Sequence, residues 1–379
     1  MNSRRTRLRS ALAVILTVLV LVPTAVLFGR VWQQNSDARS QTDLEKQGVE
    51  YITALAPLVS ALAESQSSAL QGITAPPESL ATAVAKVTAV DTAVGDDLKT
   101  KERWTDLQAK IAKLNKTTGG PVAILQAHTE VTDLALALYD AVRRNSELNR
   151  DPDSDLSNLQ QAAAVDMPAT VIRVSRMADF AQALPLVTGQ ARTTIAIQFG
   201  QEVLAVQDSV NALTGSLQAA VDNTSSPTLS GGLVTTLDSF RRGVESMTRG
   251  ANPGGTPNVA TMSTAQTALQ TALNALAGVT LKEMANLLDD RSSSLNYRRG
   301  EAIAMGLLAV LLVLAALVLP ILGRRRDTEE AASGPSTGVG ESTRDIPTNR
   351  PAAPYGGQYD LTPAFGDNDP RRERSGALR

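Results

Sequence analysis

The 379-residue chain contains no cysteine and a single histidine, His128. The first absence excludes a disulfide framework and any thiolate metal site. The second excludes a histidine-cluster metal centre and two-histidine chemistry. Aromatic residues make up only 3% of the chain, so a core must be filled mainly by Ala, Leu and Val. That composition suits helices better than sheets. A formal net charge of -2 gives no electrostatic footprint for nucleic acid. No nucleophile–base pairing, phosphate-cradling glycine loop or paired-carboxylate cleft stands out, so no enzyme and no cofactor is expected.

What is present begins with two uncharged runs. Four arginines (Arg4, Arg5, Arg7, Arg9) in residues 1–10 precede the run Ala11 to Gly29. This is too long for the apolar region of a cleaved leader and long enough to cross a bilayer. It reads as an uncleaved signal anchor, with Trp32 at an interfacial position. The second run, Ala302 to Leu322, ends in Arg324, Arg325 and Arg326. The positive-inside rule places both termini in the cytoplasm and residues 31–300 outside it, as a two-pass protein of the cell membrane. Ala304, Gly306 and Ala309 allow close helix contact, which is compatible with a homodimer. The tail, 323–379, is rich in Pro, Gly, Ser and Thr and is expected to be disordered and cytoplasmic. It is too short and polar to hold an output domain.

Between the runs, apolar residues recur at spacings of three and four. One stripe is Tyr51, Leu55, Leu58 and Leu62; the longest runs from Ile195 through Phe199, Val203, Val206, Val210 and Leu213 to Leu217. A third, Leu273, Leu276, Thr280, Met284, Leu287 and Leu295, leads into the second run. Such stripes mark amphipathic helices packed on one another, and no window alternates as a strand would. Turn signals divide the region into helices near 32–71, 77–115, 121–148, 155–184, 188–222, 228–250 and 258–300. The segment "LPLVTGQ" reads as a kink between halves, 31–184 and 185–300. The expected fold is all-α: one or two antiparallel four-helix bundles, stacked along the membrane normal, between two transmembrane helices.

Three aspartates at alternate positions, Asp151, Asp153 and Asp155, begin as a calcium loop begins. An EF-hand then needs glycine at position six and a bidentate glutamate at position twelve; Leu156 and Ala162 stand there. The better reading is that Pro152 ends one helix and Asp153, Ser154 or Asp155 caps the next. Arg173 and Arg176 share a helix face and, with Arg143 and Arg144, offer guanidinium donors for a small anion. Alternatively they are solvated or paired with Asp166, Asp179 or Glu147. His128 reads as a half-buried helix residue.

The stretch Ser146 to Ala181, with Ser146, Leu148, Asp151, Pro152, Asp153 and then Pro168, resembles a segment of helical extracytoplasmic input domains of bacterial chemoreceptors and sensor histidine kinases. Glu45 to Gly72 is similar to the first helix of that group, although Ser65, Gln66 and Ser67 stand where it often carries a basic pair. The resemblance spans about residues 40–184. It implies a four-helix-bundle or nitrate-sensing-like sensor that binds a small ligand or partner outside the cell and signals through a separate protein. The competing expectation is a scaffolding envelope protein that binds no ligand.

Overall fold

The structure, a computed structural model, describes residues 2–149, 151, 153–224, 227–252 and 255–330. Side chains are described from residue 15 to 315, apart from 16, 17, 20, 227–230 and 234. The chain divides into two units, 1–314 and 315–379, and the helical core belongs to the first. Nine α-helices account for the described fold: α1 (Asn2–Leu70), α2 (Glu78–Val94), α3 (Lys101–Ile111), α4 (Gly120–Asn145), α5 (Ser154–Gln161), α6 (Met167–Ala183), α7 (Gly189–Asn223), α8 (Pro227–Ala251) and α9 (Val259–Glu330). No strand occurs among the described residues. The all-α expectation therefore holds, and most helix limits fall within a few residues of those read from the sequence.

Helix α6 organises the packing. Met167, Val171, Ile172, Val174, Met177, Ala178 and Phe180 are all buried, so it is covered on nearly every side. A helix apolar around its circumference belongs in the middle of a bundle. Its neighbours are α1, α4 and α7, and α9 reaches it through a bond from Gln266 Nε2 to Ser175 Oγ. The chain runs up and down alternately. Helix α9 descends antiparallel to α1, which sets Asn274 against Ser60, Asp289 against Lys46 and the Leu295 carbonyl against Asn35. Helix α7 descends beside α6, with Arg173 facing Glu202 and Ser216 bonding to Asp166.

These registers correct the expected end-to-end stack. Residues 31–184 and 185–300 lie side by side along one shared core, because α9 returns down the full length of α1. The "LPLVTGQ" segment is accordingly a full reversal. Pro185 sits in a single 3-10 turn, Val187 and Thr188 are extended, and Gly189 takes a φ of 60°. The helix expected over 77–115 is also broken, between Val94 and Lys101. Buried Asp91 holds that break: its Oδ1 accepts bonds from the Tyr51 hydroxyl (2.8 Å) and the Thr100 hydroxyl (2.7 Å). Asn145 Nδ2 donates to the Leu98 carbonyl inside the same turn.

Among the described residues, no helix is long and apolar enough to cross a membrane. Residues 11–14, 16, 17 and 20 of the first expected span, and 316–322 of the second, have no described side chains. The tail expected to be disordered from 323 begins differently: α9 continues to Glu330. Residues 331–379 lie outside the described set.

Gly48 shows how tightly one contact is made. A Cβ at this position would lie 2.2 Å from Ser146 Oγ and 2.8 Å from Leu148 Cδ1. Gly200, on the exposed side of α7, has open space instead. Gly48→Ala should therefore destabilise the purified chain by roughly 1–3 kcal/mol. Gly200→Ala should stabilise it by up to about 1 kcal/mol through helix propensity. Denaturation of the two variants in parallel checks this contrast, and equal effects would contradict the close approach.

Candidate functional site

The aspartate loop after α4 is held beneath α1 by the Gly48 contact and by Leu148 and Leu156, both 1% exposed. Glu147 turns the chain with a φ of 61°. This brings Asp151 to Arg291, which arrives from α9. The guanidinium makes a bidentate pair with Asp151, Nη1 to Oδ2 at 2.9 Å and Nη2 to Oδ1 at 2.7 Å. Nη1 also donates to Glu45 Oε2 at 2.9 Å, and Nη2 to Asp153 Oδ2 at 2.6 Å. One cation thus ties α9 to α1 and to the connection between α4 and α5.

Burial makes this cluster consequential. The Glu45 and Asp151 side chains are fully buried, Arg291 is 19% exposed and Asp153 is mostly in solvent. Asp151 is well satisfied: besides Arg291 it accepts from Gln160 Nε2 (3.2 Å) and from the Asp153 backbone N–H (2.8 Å). Glu45 is not as well placed. Burial first, and the negative charge of Asp151 second, push its pKa up to about 7, against the pull of Arg291 and a bond from Gln41. For Arg291, burial opposes the charge, but Asp151, Asp153 and Glu45 more than offset it and raise its pKa. Three carboxylates share one guanidinium, so the cluster carries excess negative charge, which a proton on Glu45 reduces but does not remove.

The capping expectation is corrected in part. Asp153 occupies the position before α5, but its carboxylate goes to Arg291 and caps no backbone N–H. Asp155 does accept, from the Leu156 N–H at 2.7 Å. The sequence patterns do not single out Arg291 or Glu45, though one signal exists. The apolar stripe of α9 passes from Leu287 to Leu295, and Arg291 stands at the skipped position, one turn from each.

Of the arginines expected to serve an anion, Arg143 and Arg144 have other partners, and Arg173 and Arg176 both lie near Glu202. Arg143 donates to Gln161 and Arg144 pairs with Asp140. Arg176 is half-buried and donates to Asp133 (2.5 Å), the Thr132 hydroxyl (2.6 Å) and the Thr129 carbonyl (3.3 Å). Arg173 lies 4.0 Å from Glu202. Burial raises the Glu202 pKa, and the nearby charges of Arg176 and Arg173 oppose that rise. A resident carboxylate thus lies between the two arginines, neither of which faces Asp166, Asp179 or Glu147 in an ion pair among the described residues. His128 is 1% exposed, more buried than expected. Among the described residues, no group of three or more His, Asp or Glu side chains is arranged to hold a metal ion.

No protein-family model, curated protein or solved structure matches the chain.

Two outcomes test the cluster. Arg291→Met leaves two buried carboxylates without their cation and should cost about 3 kcal/mol of stability, measured by denaturation at neutral pH. Glu45 binds its proton more tightly in the folded than in the unfolded state. Its contribution to stability is therefore fullest below its ordinary pKa of 4.5, declines as pH rises to about 7, and is flat above that. Asp179, pushed up to about 8 by burial, adds a slope of the same sign. Relative to the parent, Glu45→Gln should gain on the order of 2 kcal/mol between pH 5 and pH 8. A parallel pair of stability–pH curves would contradict this assignment.

Proposed function

We propose that the chain is a membrane-anchored helical sensor-like protein. Its bundle lies outside the cytoplasm, binds a small ligand or partner, and passes a shift of α9 through the bilayer to a separate protein. The observation that carries this reading is the pair of exposed apolar belts on the adjoining ends of α1 and α9. Val22, Val26, Leu27 and Val31 on α1, and Met305, Leu307, Leu308 and Leu311 on α9, are each more than half exposed. Leaving such side chains in water on two neighbouring helices is costly, and acyl chains would cover them. The uncharged runs Ala11–Gly29 and Ala302–Leu322 contain most of these residues and are long enough to span.

The rim of the belts supports the same placement. Phe28 stacks on Trp32 with centroids 6.1 Å apart, and the Arg299 guanidinium lies 5.1 Å from the Trp32 ring. An aromatic beside a cation suits the boundary between acyl chains and headgroups. Phe28 also covers Gly306, where an added Cβ would lie 3.1 Å from its ring. Gly306 therefore serves a contact within the chain. Arg291 lies only about 16 Å of helix before Ala302, so a change at the cluster acts close to the second run.

A reporter enzyme active only outside the cytoplasm, fused after residue 200, should be active. The same reporter fused after Arg326 should be silent. The reverse pattern, or activity at both sites, would overturn the two-span topology.

A further inference from the structure

We propose that the end of the bundle farthest from Arg291 holds a binding site for a small uncharged molecule, with an apolar body and one hydroxyl or N–H group that bonds to His128. The proposal deepens the receptor half of the sensor reading and rests on it. The site is a cavity of about 450 Å³ where α1 ends, α2 begins, α3 ends and α4 begins. That volume suits a small ligand. Its walls are mainly aliphatic, from Leu80, Val84, Ile111, Leu114 and Ile124, and none of its lining residues is Asp, Glu, Lys or Arg. A charged ligand would find no counter-charge there and would lose its hydration, so ions are excluded by cost.

Thr74, Gln108, Asn115 and Thr117 also line the cavity, but His128 with Ser65 gives it a specific polar feature. His128 Nδ1 lies 3.0 Å from the Ile124 carbonyl, which can only accept, so Nδ1 carries the proton and Nε2 offers a lone pair. Burial lowers the His128 pKa, which keeps the ring neutral. The Ser65 hydroxyl is 3.5 Å from Nε2, too long for a strong bond. A ligand hydroxyl or N–H can take that lone pair while Ser65 turns to the ligand's own acceptor. At the mouth, Gly72 has a φ of 82° and ends α1, and the following Ile73 is 51% exposed beside the opening. An apolar side chain at the rim gives a bound ligand a partial cover.

Because His128 is the chain's one histidine, its imidazole resonances report on this cavity alone. The experiment titrates the full chain in lipid nanodiscs, with isotope-labelled histidine, using indole and phenol as probes and benzoate as the charged control. The expected result is a saturable shift of the His128 signals with indole or phenol, none with benzoate, and a loss of at least tenfold in affinity in Ala81→Trp. Ala81 lines the cavity yet is exposed, so a large ring there blocks the site at little risk to folding. Ser65→Ala is the second variant and should weaken phenol binding several-fold, because the phenol oxygen can accept from Ser65 whereas indole offers no acceptor. Absence of a saturable shift with either neutral probe, or equal shifts in parent and Ala81→Trp, overturns the site. A shift in a chain whose reporters fail the two-span pattern upholds the site and removes the membrane receptor. Correct topology without a shift removes the site alone.

Discussion

One guanidinium holds the lower half of this molecule together. Arg291 neutralises Asp151, which is fully buried, and reaches Glu45, which is buried as well. A carboxylate without a cation would be costly in either place. The arrangement therefore constrains three segments at once: α1 through Glu45, the α4–α5 connection through Asp151 and Asp153, and α9 through Arg291. The second pair, Lys46 with Asp289, repeats the α1–α9 tie nearby but in more exposed surroundings, where such pairs contribute little. The balance of the cluster depends on whether Glu45 is protonated, which makes it responsive near neutral pH.

The same constraint explains the geometry above it. With α9 fixed to the base of α1, the antiparallel return sets Ser60 against Asn274 and Ser175 against Gln266 at higher levels. Both halves then share α6 and one core. A cavity at the far end is lined by α1, α2, α3 and α4, and α1 runs from that cavity directly to Glu45. In the sensor reading, α1 is the element through which an occupant beside Ser65 would bear on the cluster, and α9 is the one that carries the result onward.

Much of the fold is legible in the sequence, because amphipathic stripes and turn residues are local signals. Proline and glycine mark the connections at 72–77, 117–122 and 252–258. The break at Gly95–Thr100 is not legible, because it depends on Asp91 meeting Tyr51 from another helix, which no local pattern encodes. Side-by-side packing escapes the sequence for a similar reason: stripes give the buried face of a helix but not its neighbour. The aspartate loop stands out by its spacing, and Leu156 and Ala162 exclude it as an EF-hand. Its cation partner lies 140 residues away. The clue is a single arginine in an apolar stripe, at the position between Leu287 and Leu295 where a leucine would ordinarily stand.

Arg291 fixes α9 to the base of the bundle through Glu45, Asp151 and Asp153. Hydrogen–deuterium exchange on the full chain in nanodiscs, comparing the parent with Arg291→Met, tests it most directly, since local opening reports where stabilising contacts are lost. Exchange should be faster across residues 284–298 and at Asp153 to Leu156, with residues 262–276 of α9 unchanged. Unchanged exchange at both the 284–298 stretch and the aspartate loop would contradict it.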